Sequence, residues 1–105
     1  MNKTLSTLGL CRRAGKLIFG FDAVAAELEK PGTAVSGVLL AADLSEKSKK
    51  EVRFLCSKKG IAVTELAETL DDIKNTIGRR TGILAILDKG LYDSVINNTH
   101  TSGER

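Results

Sequence analysis

The sequence predicts an α/β domain with helices on both faces of a small central sheet. Three observations carry this. Apolar residues recur at helical spacing in several separate stretches, short apolar runs fall between them, and glycine or Pro-Gly marks most changeovers. Helices and strands that alternate along a chain pack as layers around one core.

The first helix is expected from about Thr4 to Arg13, because Leu5, Leu8 and Cys11 recur three apart. Ala14-Gly15 stops it, with Arg12 and Arg13 in the last turn, where cations suit the helix dipole. Lys16 to Phe19 reads as a short strand. A second helix starts at Phe21 or Asp22, with Phe21, Val24, Ala25 and Leu28 forming its apolar stripe. Pro31-Gly32 turns the chain into a buried strand over 37–42, where Val38, Leu39 and Leu40 are consecutive apolar residues. Asp43 or Ser45 can cap a third helix that continues to Lys59, with Gly60 just past its end. Ile61-Ala62-Val63 is the next expected strand. Thr69 and Asp72 resemble a capping box for a helix carrying Leu70, Ile73 and Ile77 inward and ending at Gly78. Gly82 to Leu87 is the most apolar strand. A last helix is expected from Asp88 to about Ile96, so the reading is one domain over 1–96 and a polar, disordered tail over 97–105.

The chain has 105 residues, of which 42% are hydrophobic and 28% charged, enough for one core. No apolar run approaches the roughly 20 residues that span a bilayer, and the N-terminus is too polar for a signal peptide, so a cytoplasmic protein without a membrane partner is expected. Cys11 and Cys56 fit no metal-ligand spacing and are expected as buried thiols. The net charge of +3 is mild, but residues 1–16 carry Lys3, Arg12, Arg13 and Lys16 without an acidic residue.

Neither G-x-G-x-x-G nor a Walker-type loop occurs, which argues against nucleotide binding by such loops. The single histidine, His100, lies in the expected tail, too little for a triad or a zinc site. Asp43 and Asp88 each follow an expected strand. They are read either as helix N-caps or as oxygen ligands for a divalent metal in an enzyme. Lys47, Lys49, Lys50, Arg53, Lys58 and Lys59, interleaved with Glu46 and Glu51, read as a solvated helix face with i,i+3 and i,i+4 pairs. Arg79 and Arg80, between Gly78 and Gly82, read as an exposed basic loop suited to phosphate. Phe19, Phe21, Phe54 and Tyr92 are too scattered to announce a stacking platform for single-stranded bases.

The run from Leu8 to Leu17, then Gly20, then Val38 to Ser45, resembles the kink-turn RNA-binding ribosomal protein family of the L7Ae type, above all its small bacterial ribosome-associated members. The similarity extends from about Leu5 to Val95. It implies a three-layer α-β-α sandwich with a four-stranded mixed sheet, no catalysis and no cofactor. It also implies a structured RNA as partner, ribosomal RNA or the ribosome included, bound by a monomer. In the family, a Gly-x-Asn-Glu-x-x-Lys turn into a helix reads guanine edges in a kink-turn, and a second loop covers a flipped-out nucleotide. Gly20 matches the glycine; Asp22 stands where Asn is usual, Ala23 where Glu is usual, and Ala26 where Lys is usual. Lys74 falls where the second loop often has glycine. The residues expected to contact RNA are Arg12, Arg13, Gly15, Lys16, Gly20, Phe21 and Asp22 on one edge, and Ile77, Gly78, Arg79 and Arg80 on the other. The missing base-reading side chains leave open a protein-interaction module built on the same fold.

Overall fold

The computed structural model describes residues 3–101. Nine elements alternate along them: α1 (Lys3–Arg13), β1 (Leu17–Phe19), α2 (Phe21–Glu29), β2 (Gly37–Leu40), α3 (Glu46–Lys59), β3 (Val63–Glu65), α4 (Leu70–Ile77), β4 (Ile83–Ile86) and α5 (Lys89–Thr101). The strands form one sheet in the order β1-β4-β2-β3. β4 runs antiparallel to both neighbours, while β2 and β3 are parallel, so the sheet is mixed.

The two inner strands are buried along their whole length, which explains their unbroken apolar runs. Alternate residues go to opposite faces. Leu39, Leu84 and Ile86 pack with Leu8 and Cys11 of α1, Ile73 and Ile77 of α4, and Tyr92 and Val95 of α5. Val38, Leu40, Ile83 and Ala85 pack with Val24 and Leu28 of α2 and Val52 and Cys56 of α3. Three helices thus cover one face and two the other, giving the α-β-α sandwich. Each fully buried leucine or isoleucine contributes about 1.5–3 kcal/mol relative to exposure. At Gly37 the ring of Tyr92 lies against the backbone, where any Cβ would overlap it. The Tyr92 hydroxyl meets Thr64 Oγ1 at 3.0 Å.

Several expectations change. β3 begins two residues later than its apolar run, because the Ile61 N–H closes α3 on the Cys56 carbonyl, 3.0 Å. Thr64 and Glu65, polar in sequence, are strand residues with buried or ionic partners. Lys49 is not on a solvated face: it is only 7% exposed. Its Nζ reaches Glu65 Oε1 at 3.1 Å, the Ala42 carbonyl at 3.3 Å and Glu46 Oε2 at 3.5 Å. Arg53 also binds Glu65, at 2.6 Å. α5 continues to Thr101, so residues 97–101 are helical rather than tail; Asn98 Nδ2 donates to Thr7 Oγ1 of α1 at 3.3 Å. Residues 102–105 of the expected tail, and the side chain of His100, lie outside the described residues.

Candidate nucleic-acid interface

The sheet gives the molecule two distinct ends. Phe19 of β1 is opposite Leu84 and the Gly20 N–H donates to the Ile83 carbonyl at 3.0 Å, so the β1–α2 turn lies beside the α4–β4 loop. β2 also finishes at this end, Leu40 being opposite Ile83. The side chain of Arg12, from the last turn of α1, reaches the same place: its guanidinium sits over the Phe19 ring, 5.8 Å from the centroid. Arg79, from the α4–β4 loop, sits over that ring at 4.9 Å. Both distances are within the range of cation–π attraction. Among the described residues, Arg12, Arg13 and Arg79 make no ion pair, whereas Arg80 binds Asp71 at 3.2 Å.

Gly20 adopts φ 95°, ψ 146°, a conformation open to glycine and strained for other residues. It is the N-cap of α2, and no side chain caps that helix. The starts of α3, α4 and α5 are served differently. Ser45 accepts from the Ser48 N–H at α3, and Thr69 forms a capping box with Asp72 at α4. Asp88 Oδ1 accepts from the Leu91 N–H, 2.8 Å, at α5. The first N–H groups of α2 therefore lack a side-chain acceptor, and their positive end of the helix dipole sits at the surface beside Arg12 and Arg79. Phe21 and Asp22 stand exposed there, and Ala23 and Ala26 are exposed as well, without polar atoms in their side chains.

Not every expected residue joins this end. Ile77 is 2% exposed and packs in the α1–α4–α5 core, so it lines no surface; its apolar side chain completes the α4 stripe. Gly15 and Lys16 precede β1, and the Lys16 carbonyl accepts from the Leu87 N–H at 2.9 Å, at the far end of the sheet from Gly20. Gly78 is brought in: it closes α4 in the left-handed conformation, and the Arg12 guanidinium lies over it, leaving a Cβ only 3.4 Å from Nη1. Lys74 lies within α4, not in the loop. Phe19 is the residue that sequence reasoning missed. It reads as strand filler, yet its ring gathers Arg12 and Arg79.

The alternative metal pair dissolves on topology. β2 and β4 are antiparallel, so Asp43, after β2, and Asp88, after β4, are at opposite ends of the sheet. Asp88 caps its own helix. Asp43 caps a different one from that expected, accepting from the Leu70 N–H of α4 at 2.8 Å. Among the described residues, no three His, Cys, Asp or Glu side chains gather as a metal site. No described helix is long and apolar enough to cross a membrane.

The model for the ribosomal protein L7Ae/L30e/S12e/Gadd45 family matches residues 2–95. The chain belongs to this family. A relative within reach of it is "RNA-binding protein YlxQ" of Enterococcus faecium, 32% identical over 88 residues, covering 84% of this chain and 82% of that protein. Among solved structures, a protein of unknown function from Bacillus halodurans superposes with a TM-score of 0.85, covering 95% of this chain and 99% of its own at 24% identity, a likeness of fold. The L7Ae-type sandwich expected from the Leu8–Leu17 and Val38–Ser45 segments is thus the fold observed.

Proposed function

We propose that this member of the L7Ae family is a structured-RNA-binding protein of the ribosome or its assembly, and that it grips RNA with the sheet end at Gly20. The carrying observation is the pair of guanidinium groups, Arg12 and Arg79, gathered on the Phe19 ring beside the uncapped start of α2. Two like charges share one ring, and among the described residues neither makes an ion pair, so the arrangement favours an anion. A helix N-terminus and close backbone approach at glycine suit phosphate in the same way. Family membership and the name of the 32%-identical relative support RNA as the polyanion.

The ligand chemistry is phosphate-weighted. A family member with Glu and Lys at positions 23 and 26 would read bases there, and a good bidentate base contact is worth about 1–3 kcal/mol in the DNA analogue. With alanine at both positions, this chain holds a bent RNA by its converging backbones. A kink-turn supplies such a bend and is the ligand to try first.

Fluorescence titration of a kink-turn RNA and a fully paired duplex at several salt concentrations tests this. Arg12 and Arg79 should give a log–log salt slope of about −1.5 to −2, since each neutralised phosphate contributes about 0.7–0.9. The bent RNA should bind more tightly than the straight duplex. A slope near zero would end the reading and favour a protein-interaction module, for which the exposed Ala23 and Ala26 offer a flat apolar patch.

A further inference from the structure

α3 presents a second surface, away from the Gly20 end's arginines. Val52 and Cys56 point into the core, so Phe54, midway between them, points outward and is 66% exposed. At 100° per residue, Lys47, Lys50 and Lys58 fall within about 40° of Phe54 on the same stripe. All three are exposed. The Lys58 Nζ lies over the Phe54 ring, 5.2 Å from its centroid.

Among the described residues, one ion pair, Glu46 with Lys49, forms within this helix, fewer than the interleaving in sequence suggests. Lys49 and Arg53 turn inward to Glu65, and Glu46 contacts Lys49. Among the described residues, Lys47, Lys50 and Lys58 make no ion pair, and Glu51 is the one acid on their stripe. A large ring thus stands in water at the centre of a basic helix face.

We infer that this face is a second RNA-contact surface, on which an unpaired base stacks on Phe54 while Lys47, Lys50 and Lys58 take the neighbouring phosphates. The match is in kind as well as in sign. A nucleotide carries a π face and a phosphate in one unit, and Phe54 and Lys58 are about 6 Å apart along the helix axis, one turn. An acidic peptide would satisfy the lysines and leave the ring in water. α3 also starts where β2 ends, at the same end of the sheet as Gly20, so Lys47 and Lys50 lie nearest an RNA arm that continues past α2. The inference rests on the chain's being an RNA-binding protein and extends its footprint from one edge to a neighbouring face.

The test uses two probes, a kink-turn RNA and the same RNA with a single-stranded oligoadenosine extension. They are titrated against the wild type and three variants: Phe54→Ala, the triple Lys47→Ala/Lys50→Ala/Lys58→Ala, and Arg12→Ala/Arg79→Ala. All the substituted side chains are exposed, and circular dichroism checks that each variant folds. Phe54→Ala should weaken the extended RNA about tenfold, as losing one stacked base does, and leave the plain kink-turn unchanged. The triple variant should flatten the salt slope for the extended RNA by about 2. Phe54→Trp should restore the tight binding. If Phe54→Ala and the triple variant bind the extended RNA as the wild type does while Arg12→Ala/Arg79→Ala weakens both probes, the α3 surface is overturned and the Gly20 edge stands. If only the α3 variants weaken binding, the α3 surface stands and the edge falls. Binding of neither probe by the wild type overturns both.

Discussion

Phe19 shows how one side chain can organise a site without any charge of its own. Its ring holds Arg12 at 5.8 Å and Arg79 at 4.9 Å, from elements far apart in sequence. Replacing Phe19 by Leu should keep the strand but release both guanidinium groups. RNA affinity should then fall several-fold while the salt slope stays near its wild-type value, because the charges remain. Arg79→Ala should instead reduce the slope by about 0.7–0.9. Gly20→Ala meets open space but forces φ 95° on a residue with a Cβ, so thermal melts should show a loss of about 1–3 kcal/mol. Arg79 was legible in the sequence because charge between glycines announces an exposed loop, and Arg12 because a cation suits the last turn of a helix. Phe19 was not, because a phenylalanine in a three-residue strand has the pattern of core. Ile77 was misplaced for the converse reason: its Gly-Arg-Arg neighbours suggest a surface, while its spacing from Ile73 already marked the buried stripe.

At the scale of the elements, α3 and β3 are joined by Glu65, which accepts from both Lys49 and Arg53. Hydrogen bonding to Arg53, and then to Lys49, lowers the Glu65 pKa; the same bond to Glu65 raises that of Lys49. A lowered carboxyl pKa stabilises the fold above its unfolded value and loses that contribution as pH falls through the folded one. A raised lysine pKa stabilises below its unfolded value and loses that contribution as pH rises through the folded one. The bridge should therefore weaken on the acid side of the carboxylate range and on the alkaline side of the lysine range. Glu65→Gln should lower the melting temperature at pH 7 and flatten the acid limb of the stability profile. Removing only Glu65 leaves the buried Lys49 with the longer contact to Glu46 at 3.5 Å as its one acid partner, so Lys49→Met should cost less than Glu65→Ala. The start of α4 offers a companion case. Thr69 and Asp43 each accept one of its first N–H groups, so Thr69→Ala should cost about 1 kcal/mol. The capping box was readable from Thr69 and Asp72, a local pattern. The roles of Lys49 and Asp43 were not, since both partners sit across chain-distant contacts that periodicity does not encode.

Over the whole molecule, alternation of apolar runs and helical stripes was enough for the layered architecture, the family resemblance added that the sheet has four strands and is mixed, and the strand order β1-β4-β2-β3 came only with the structure. What alternation could not supply was where the strands end, and hence which loops share an end of the sheet. That is why Gly15 and Lys16 were grouped with Gly20, and Asp43 with Asp88, across opposite ends. The close fit of Tyr92 on Gly37 locks α5 to the sheet. Gly37→Ala should therefore cost about 1–3 kcal/mol or more in a denaturant melt, as overpacking does. The two cysteines lie one in each core layer, both at 0% exposure. Burial, with the Asp88 charge adding, pushes the Cys11 thiol up to about 11, and burial raises that of Cys56 as well. Neither should react with a thiol reagent at pH 8 until the fold opens, and both should react in denaturant. This silence is useful. Ala34, exposed in the connection between α2 and β2, lies at the sheet end remote from Gly20. A cysteine introduced there would be the one thiol open to chemistry in the folded protein. It provides a single attachment point for a dye or a sensor surface that leaves the arginine-bearing end facing outward, free to meet its ligand.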